Sequence, residues 1–213
     1  MACIQSYWRR FLVIRIELDP NVLSLIRAKL EEVGKEAPYL IQNTLNEVAK
    51  KARDTLAEKA QETYALKTNS FKRDMKIRRA SRNKLEAVIQ TKGGVLELKD
   101  FKASPLGYVP GGRKGSQGVK GKVLKSSDMK RLELGGNKAF IIKFKSGHIS
   151  VAQRVPGKKM KSNPQKEFVK KLLSPSIPKM IGNEKKVYGI VRPSIEEDMR
   201  NSLNRHLKKV LGG

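Results

Sequence analysis

The chain has 213 residues, with 46 Lys+Arg against 20 Asp+Glu and a formal charge of +26, which calls for a polyanion or an acidic protein surface as partner. A hydrophobic content of 38% allows a modest core, in one medium domain or two small ones, with solvated basic segments around it. The single cysteine, Cys3, excludes an internal disulfide and a Cys-rich zinc site and points to a reducing compartment. The apolar run from Phe11 to Ile14, closed by Arg15 and Glu17, is too short for a secretory leader or a membrane span, so a soluble chain without a membrane partner is expected.

The charge is unevenly placed. Residues 1–66 hold 10 basic and 9 acidic side chains, whereas residues 67–213 hold 36 and 11. This divides the chain into a near-neutral strand-helix-helix part, 1–66, and a basic sheet part, 67–213, within one folded domain carrying arms. In the first part Leu12, Ile14, Ile16 and Leu18 alternate with Val13, Arg15 and Glu17, the period of a half-buried strand over residues 10–18. Asp19 and Pro20 suit the N-cap and first position of a helix with Val22, Leu25, Ile26, Leu30 and Val33 on one face, ending at Gly34. A longer helix follows, in which Ile41, Leu45, Val48, Ala52 and Leu56 share a face. Ala49, Ala52, Ala57 and Ala60 give it room for close packing.

Thr68 and Asn69 are cap candidates for a short helix from Ser70 to Met75. That segment carries eight basic residues between Lys67 and Lys84, with only Asp74 opposing them. Arg78, Arg79 and Arg82 there read either as a solvated basic face or as phosphate contacts. Leu85 to Gln90 alternates as a strand, Thr91 to Gly94 has the composition of a hairpin turn, and Val95 to Lys102 returns as its partner. From Ser104 to Ser127 the period disappears into a glycine-lysine loop containing Arg113, Lys114, Lys120 and Lys122, the candidate contacts to a polyanion or an acidic subunit.

Phe140, Ile142 and Phe144 alternate, Lys145-Ser146-Gly147 turns, and Ile149, Val151 and Gln153 return, which is the clearest hairpin in the chain. Gly157 to Pro164 reads as a second basic loop, adding Lys158 and Lys159 to the candidate contacts. Pro175, Pro178 and Pro193 break the following stretch. The last element is a helix over 194–211 with Ile195, Met199, Leu203, Leu207 and Val210 on one face. Ser194 and Glu197 have capping-box spacing at its start, and Gly212 follows its end.

Catalytic material is sparse. His148 and His206 are the only histidines and read as structural or exposed. The carboxylates Glu196, Glu197 and Asp198 are explained by the dipole at the start of a helix better than by a metal. Gly107 to Gly112 matches GxxxxG, but Arg113 and Lys114 follow where a phosphate loop needs Lys then Ser or Thr. Aromatic residues, 6% of the chain, do not interleave with the basic clusters as a single-strand platform requires. No catalytic residue, cofactor or metal is assigned, and the chain is read as a non-enzyme.

The ordered set TYALKTNSFKRDMKIRRAS (Thr63 to Ser81), LELKDFKASP (Leu96 to Pro105), the glycine-lysine loop, AFIIKFKSGHISVAQRV (Ala139 to Val155), PSIPKMIG (Pro175 to Gly182) and a capped terminal helix resembles the minor tail protein Z family of tailed bacteriophages and prophages. The similarity covers roughly residues 40–211. Its most specific portion is the hairpin through Gly147 and Gln153-Arg154, followed by the proline-rich segment and the helix.

The resemblance implies a virion structural protein, made in the bacterial host cytoplasm, that completes the head-proximal end of a tail as a ring around the DNA channel. A homo-oligomer is expected, with a hexamer favoured, joined to tail terminator, tail tube or neck proteins and bordering genomic DNA. The expected fold is α+β: an N-terminal strand and two amphipathic helices, a mostly antiparallel sheet with a long basic Gly/Lys loop, and a C-terminal amphipathic helix. An exposed strand edge pairs readily with another chain. The strand from Arg10 to Leu18, through Leu12, Ile14, Ile16 and Leu18, is therefore the candidate inter-subunit strand, and the arm from Ser104 to Ser127 is the second candidate for a segment lent to a neighbour. The competing reading is a non-specific basic nucleic-acid-binding protein of ribosomal or nucleoid type.

Overall fold

The computed structural model describes residues 2–4, 11–29, 37–108 and 118–211. In chain order the elements are β1 (Ala2–Ile4), β2 (Phe11–Ile16), α1 (Pro20–Lys29), α2 (Ala37–Thr63), α3 (Phe71–Asp74), β3 (Met75–Arg78), β4 (Ala87–Lys92), β5 (Leu96–Glu97), β6 (Lys102–Ser104) and β7 (Lys120–Lys122). They continue as β8 (Lys130–Arg131), β9 (Glu133–Leu134), β10 (Asn137–Lys138), β11 (Phe140–Lys143), β12 (Ile149–Met160), β13 (Asn163–Lys171), β14 (Leu173–Ser174), α4 (Ile177–Ile181) and α5 (Tyr188–Leu211). This is the α+β fold expected, and the strand pairings described are antiparallel.

The chain forms two compact units that interleave in sequence. The first comprises Met1–Ala60, Ser70–Gly94 and Ile177–Gly213, and the second Gln61–Asn69 and Val95–Ser176. Counted by unit, the first holds 26 basic and 14 acidic residues and the second 20 and 6.

The first unit is built on a four-stranded sheet in the order β1-β2-β4-β3. Ile14 pairs with Ile89, and Ile89 with Ile77, which sets the apolar positions of three strands on one face. Leu12, Ile14 and Ile16 are fully buried, as their alternation predicts, but β2 is flanked within the chain by β4 along its whole length and by β1 from Ile14 to Ile16. This narrows the expectation of strand donation: Leu12, Ile14 and Ile16 make core, and among the described residues only Phe11 to Val13 have no strand opposite them on the β1 side. Leu18 lies beyond the strand.

Asp19 caps α1 as expected, its carboxylate accepting from Asn21 N at 2.9 Å. Of the predicted apolar face only Ile26 is buried. Val22 and Leu25 are exposed, while Leu30, Val33 and Gly34 lie outside the described residues. Val22 instead borders a groove of about 300 Å³ with Leu18, Ile195, Met199 and Leu203.

Helix α2 behaves as its spacing predicts, with Ile41, Leu45, Val48, Ala52, Leu56 and the three other alanines buried. It runs antiparallel to α5, as the pairs Thr44–His206, Glu47–Ser202 and Lys51–Asp198 show by their opposite numbering. Helix α5 starts at Tyr188, before the predicted Ser194, and carries Pro193 inside it. Val187, Val191, Ile195, Met199 and Leu203 are all buried at helical spacing on both sides of the exposed proline. That continuous apolar stripe outweighs the roughly 3 kcal/mol cost of an interior proline. Ser194 Oγ consequently donates to Val191 O rather than capping a helix start. Gly212 lies outside the described residues.

The predicted hairpin over residues 85–102 does not form. β4 pairs with β2 and β3 in the first unit, whereas Leu96 and Glu97 of β5 pair with Ser174 and Leu173 of β14 in the second. Period-2 alternation identifies a strand but not its partner, and the Gly93-Gly94 pair marks the passage from one unit to the other. The predicted helix Ser70 to Met75 is reduced to the single turn α3, because Met75 and Ile77 are taken into the sheet as β3.

In the second unit short strands are joined into a circuit. β11 pairs with β12, Leu172 N donates to Val151 O, Leu98 N to Leu172 O, β6 pairs with β7, and Val119 N donates to Ala139 O beside β11. The circuit encloses Leu98, Val119, Ala139 and Val151, with Ala103, Val123, Leu132, Ile141 and Leu172 packed against them. The loop expected from Ser104 to Ser127 is shorter than predicted, since Ser104 ends β6 and β7 spans Lys120–Lys122; residues 109–117 lie outside the described residues. The hairpin of β11 and β12 forms as predicted, its turn closed by Gly147 at φ +82° and by Phe144 N donating to His148 O at 2.8 Å. Gly157 to Pro164, by contrast, is not a loop: β12 runs on to Met160 and pairs with β13 as a long ribbon.

Candidate functional site

The predicted basic contacts fall into both units. In the first, Arg78 ends the edge strand β3, with its Nη2 3.4 Å from Glu86 Oε1. Lys84 at 3.6 Å and Arg15 at 4.0 Å address the same carboxylate. Arg79 and Arg82 are exposed, and the Arg82 guanidinium sits 5.4 Å above the ring of Tyr39, a contact that orients it at the surface. In the second unit Lys120 is exposed on β7 and Lys122 Nζ donates to Lys125 O at 2.8 Å. Lys158 and Lys159 are exposed on the ribbon of β12 and β13. Arg113 and Lys114 lie outside the described residues.

The densest polar cluster centres on Glu97, a residue the sequence reading passed over. Ser150 Oγ donates to Glu97 Oε2 at 2.6 Å, His148 Nε2 lies 2.9 and 3.0 Å from the two carboxylate oxygens, and Lys171 Nζ is 3.2 Å from Oε1. Burial alone pushes this carboxyl up, but the hydrogen bonds from Ser150, Lys171 and His148 outweigh it and hold the pKa at about 2. The cluster includes Ser, His and a carboxylate, yet its geometry is not that of a nucleophile relay. Ser150 and His148 both donate to the same carboxylate, so the imidazole is not placed to take the hydroxyl proton. Glu97 is an anchor joining β5, β12 and β13. The one signal for it in the sequence was its spacing to Asp100, whose carboxylate accepts from Glu97 N at 3.0 Å to start a single 3-10 turn.

A second cluster ties α2 to α5. Glu47 accepts from Arg205 and, at 3.0 Å, from Ser202 Oγ, while His206 Nδ1 is 3.0 Å from Thr44 Oγ1. The Arg205 hydrogen bond, against a smaller opposing effect of burial, holds the Glu47 carboxyl below its ordinary range. His148 and His206 are thus both engaged in packing between elements. Glu196 and Asp198 pair with Arg192 at 3.1 Å and Lys51 at 2.5 Å, and their helix begins at Tyr188. These ion pairs replace the first-turn dipole as the reason for the acidic run. Among the described residues no group of three or more His, Cys, Asp or Glu side chains could hold a metal ion, and no helix is long and apolar enough to cross a membrane.

What the arrangement can do chemically is bind through exposed cations on and beside strands, with the carboxylates of Glu47, Glu86, Glu97 and Asp198 committed to holding elements together. In comparisons with known proteins, the family model of prophage minor tail protein Z matches residues 25–212. No curated protein and no solved structure matched the chain. The match leaves out β1 and β2 but takes in every element from α2 to α5, well over half of the chain, so the chain belongs to the prophage minor tail protein Z family.

Proposed function

We propose that this phage tail protein completes the head-proximal end of the tail, assembling as a homo-oligomeric ring, with a hexamer favoured, that joins the tail tube to terminator or neck proteins around the DNA channel. The observation that carries the reading is the family match over residues 25–212. Two features of the chain support it. Its carboxylates at Glu47, Glu86, Glu97 and Asp198 are used in internal ion pairs, which suits a rigid building block. Its surplus of cations, with Lys120, Lys158 and Lys159 exposed on strands, suits an interface with anionic partners. The work of such a subunit is assembly rather than catalysis, and it resides in the virion.

The test is association. Protein freed of nucleic acid in high salt is expected to form a closed oligomer by native mass spectrometry and to join isolated tail tubes. Protein that stays monomeric and leaves tubes bare overturns the reading. The +26 charge also favours a second reading, a ribosomal or nucleoid-type binder. Nanomolar binding to structured RNA at physiological salt, without association with tails, selects that reading.

A further inference from the structure

The ribbon formed by the outer parts of β12 and β13 has no counterpart in the packing of the second unit. β11 pairs with β12 only as far as Ala152, and beyond that point β12 pairs with β13 alone. None of the residues from Arg154 to Lys171 is buried. At its base the ribbon is held by Pro156, whose Cγ lies 2.8 Å from where a Cβ on Gly135 would stand. There the register slips: Arg154 faces Val169 and Lys159 faces Glu167, so residues 155–158 oppose Phe168 alone. Gly157, at φ +74°, turns this bulge, and Lys158 Nζ is set 4.6 Å over the ring of Phe168.

Lys158 lies in the bulge, Lys159, Lys161 and Lys166 beyond it and Lys170 just before it, opposite Gln153; all five are exposed, and Glu167 is the one acidic residue between 158 and 170. A two-stranded ribbon with no core is marginal in water by itself. Among the described residues no further strand pairs with either of its edges, and five lysines on it repel one another until an anion lies between them.

We propose that this ribbon, residues 158–170, is the element that lies against duplex DNA, contacting backbone phosphates through these lysines without reading base sequence. A two-stranded ribbon has the width that the major groove admits, and duplex phosphates supply a charge about every 1.7 Å. Lysine is a point charge on a flexible stem and does not make the bidentate base contacts of arginine. Phe168, the ribbon's one aromatic ring, is covered by Lys158 and offers no stacking platform for single strands. A second copy of the chain is a poor match, since the second unit holds 20 basic residues against 6 acidic ones and Glu97 already serves partners of its own.

This assignment rests on the reading of the chain as a subunit beside the DNA channel, and the experiment separates the two. Binding of the full-length protein to a short random-sequence DNA duplex is measured across a salt series for wild type, for Lys158→Gln/Lys159→Gln/Lys161→Gln, and for the charge-matched control Lys50→Gln/Lys185→Gln/Lys209→Gln. Tail-tube association is scored in parallel. The ribbon variant is expected to bind on the order of tenfold or more weakly, and the slope of log affinity on log salt to fall by about 2 to 3, with the control close to wild type.

The pair Lys166→Gln/Lys170→Gln on the opposite strand is expected to act in the same direction, and thermal unfolding checks that each variant is folded. Equal affinities for ribbon and control variants overturn the assignment. So does a ribbon variant that loses tail association while keeping wild-type duplex affinity. Wild-type protein that joins tails without binding duplex overturns the ribbon assignment and leaves the tail reading standing.

Discussion

The carboxylate of Glu97 lies 2.9 Å from Nε2 of His148, across 51 residues of chain. With Ser150 and Lys171 it ties the two-residue strand β5 into the strand circuit of the second unit. Glu97 has a native pKa of about 2 against an ordinary 4.5, so its contribution to stability is complete above about pH 4.5 and is lost as pH falls toward 2. The side chain is 17% exposed, and the shift corresponds to about 3 kcal/mol. Glu97→Gln is expected to lower stability by about 2–3 kcal/mol at pH 7 in urea unfolding, and the gap to wild type is expected to close as pH approaches 2. A gap that stays constant between pH 5 and 2 contradicts the anchor role.

Lys51 and Asp198 are 2.5 Å apart, yet Lys51 is 62% exposed. Solvent screening and side-chain entropy reduce such a pair to less than about 1 kcal/mol. A double-mutant cycle on Lys51→Ala and Asp198→Ala should return a coupling below about 1 kcal/mol, smaller than the Glu97 effect.

Gly135 and Gly136 adjoin in the turn between β9 and β10, at φ +53° and +76°. Around Gly136 there is open space, so Gly136→Ala costs only the left-handed backbone strain of about 1 kcal/mol. Gly135→Ala adds a collision with Pro156 and is expected to cost about 1–2 kcal/mol more, seen as the larger fall in Tm of the two. Because Pro156 holds the base of the ribbon, hydrogen exchange at residues 154–160 should rise in the Gly135 variant alone.

Ala49 is completely buried on α2. Ala49→Leu is expected to overpack the first unit by about 1–3 kcal/mol although leucine is an equally good helix former in practice. Leu45→Ala, at a position just as buried, removes volume instead and is expected to cost about 2–5 kcal/mol. Circular dichroism with thermal melting measures both.

Local periodicity made several elements legible. The faces of β2 and α2, the Asp19 cap and the hairpin around Gly147 follow from positions 2, 3 or 4 residues apart, where neighbours in sequence are neighbours in space. The candidate cations were legible as types and counts. Arg78, Arg79 and Arg82 were found on or beside β3, and Lys120, Lys158 and Lys159 on exposed strands. Glu97 was not legible, because its partners His148, Ser150 and Lys171 come from segments more than fifty residues away.

By itself the sequence determined the secondary periods, the sign and size of the charge, and the ordered set of segments by which the family is recognised. Partner choice was decided only by tertiary structure. β4 abandons its apparent hairpin for β2 and β3, and Gly157 to Pro164 becomes ribbon. α5 runs through Pro193. The compact units do not follow the charge division at residue 66: each draws on distant segments and each carries its own surplus of cations. The physical reason is common to all of these. An alternating or helical pattern says which face must be buried, whereas burial itself is supplied by whichever distant segment completes the core.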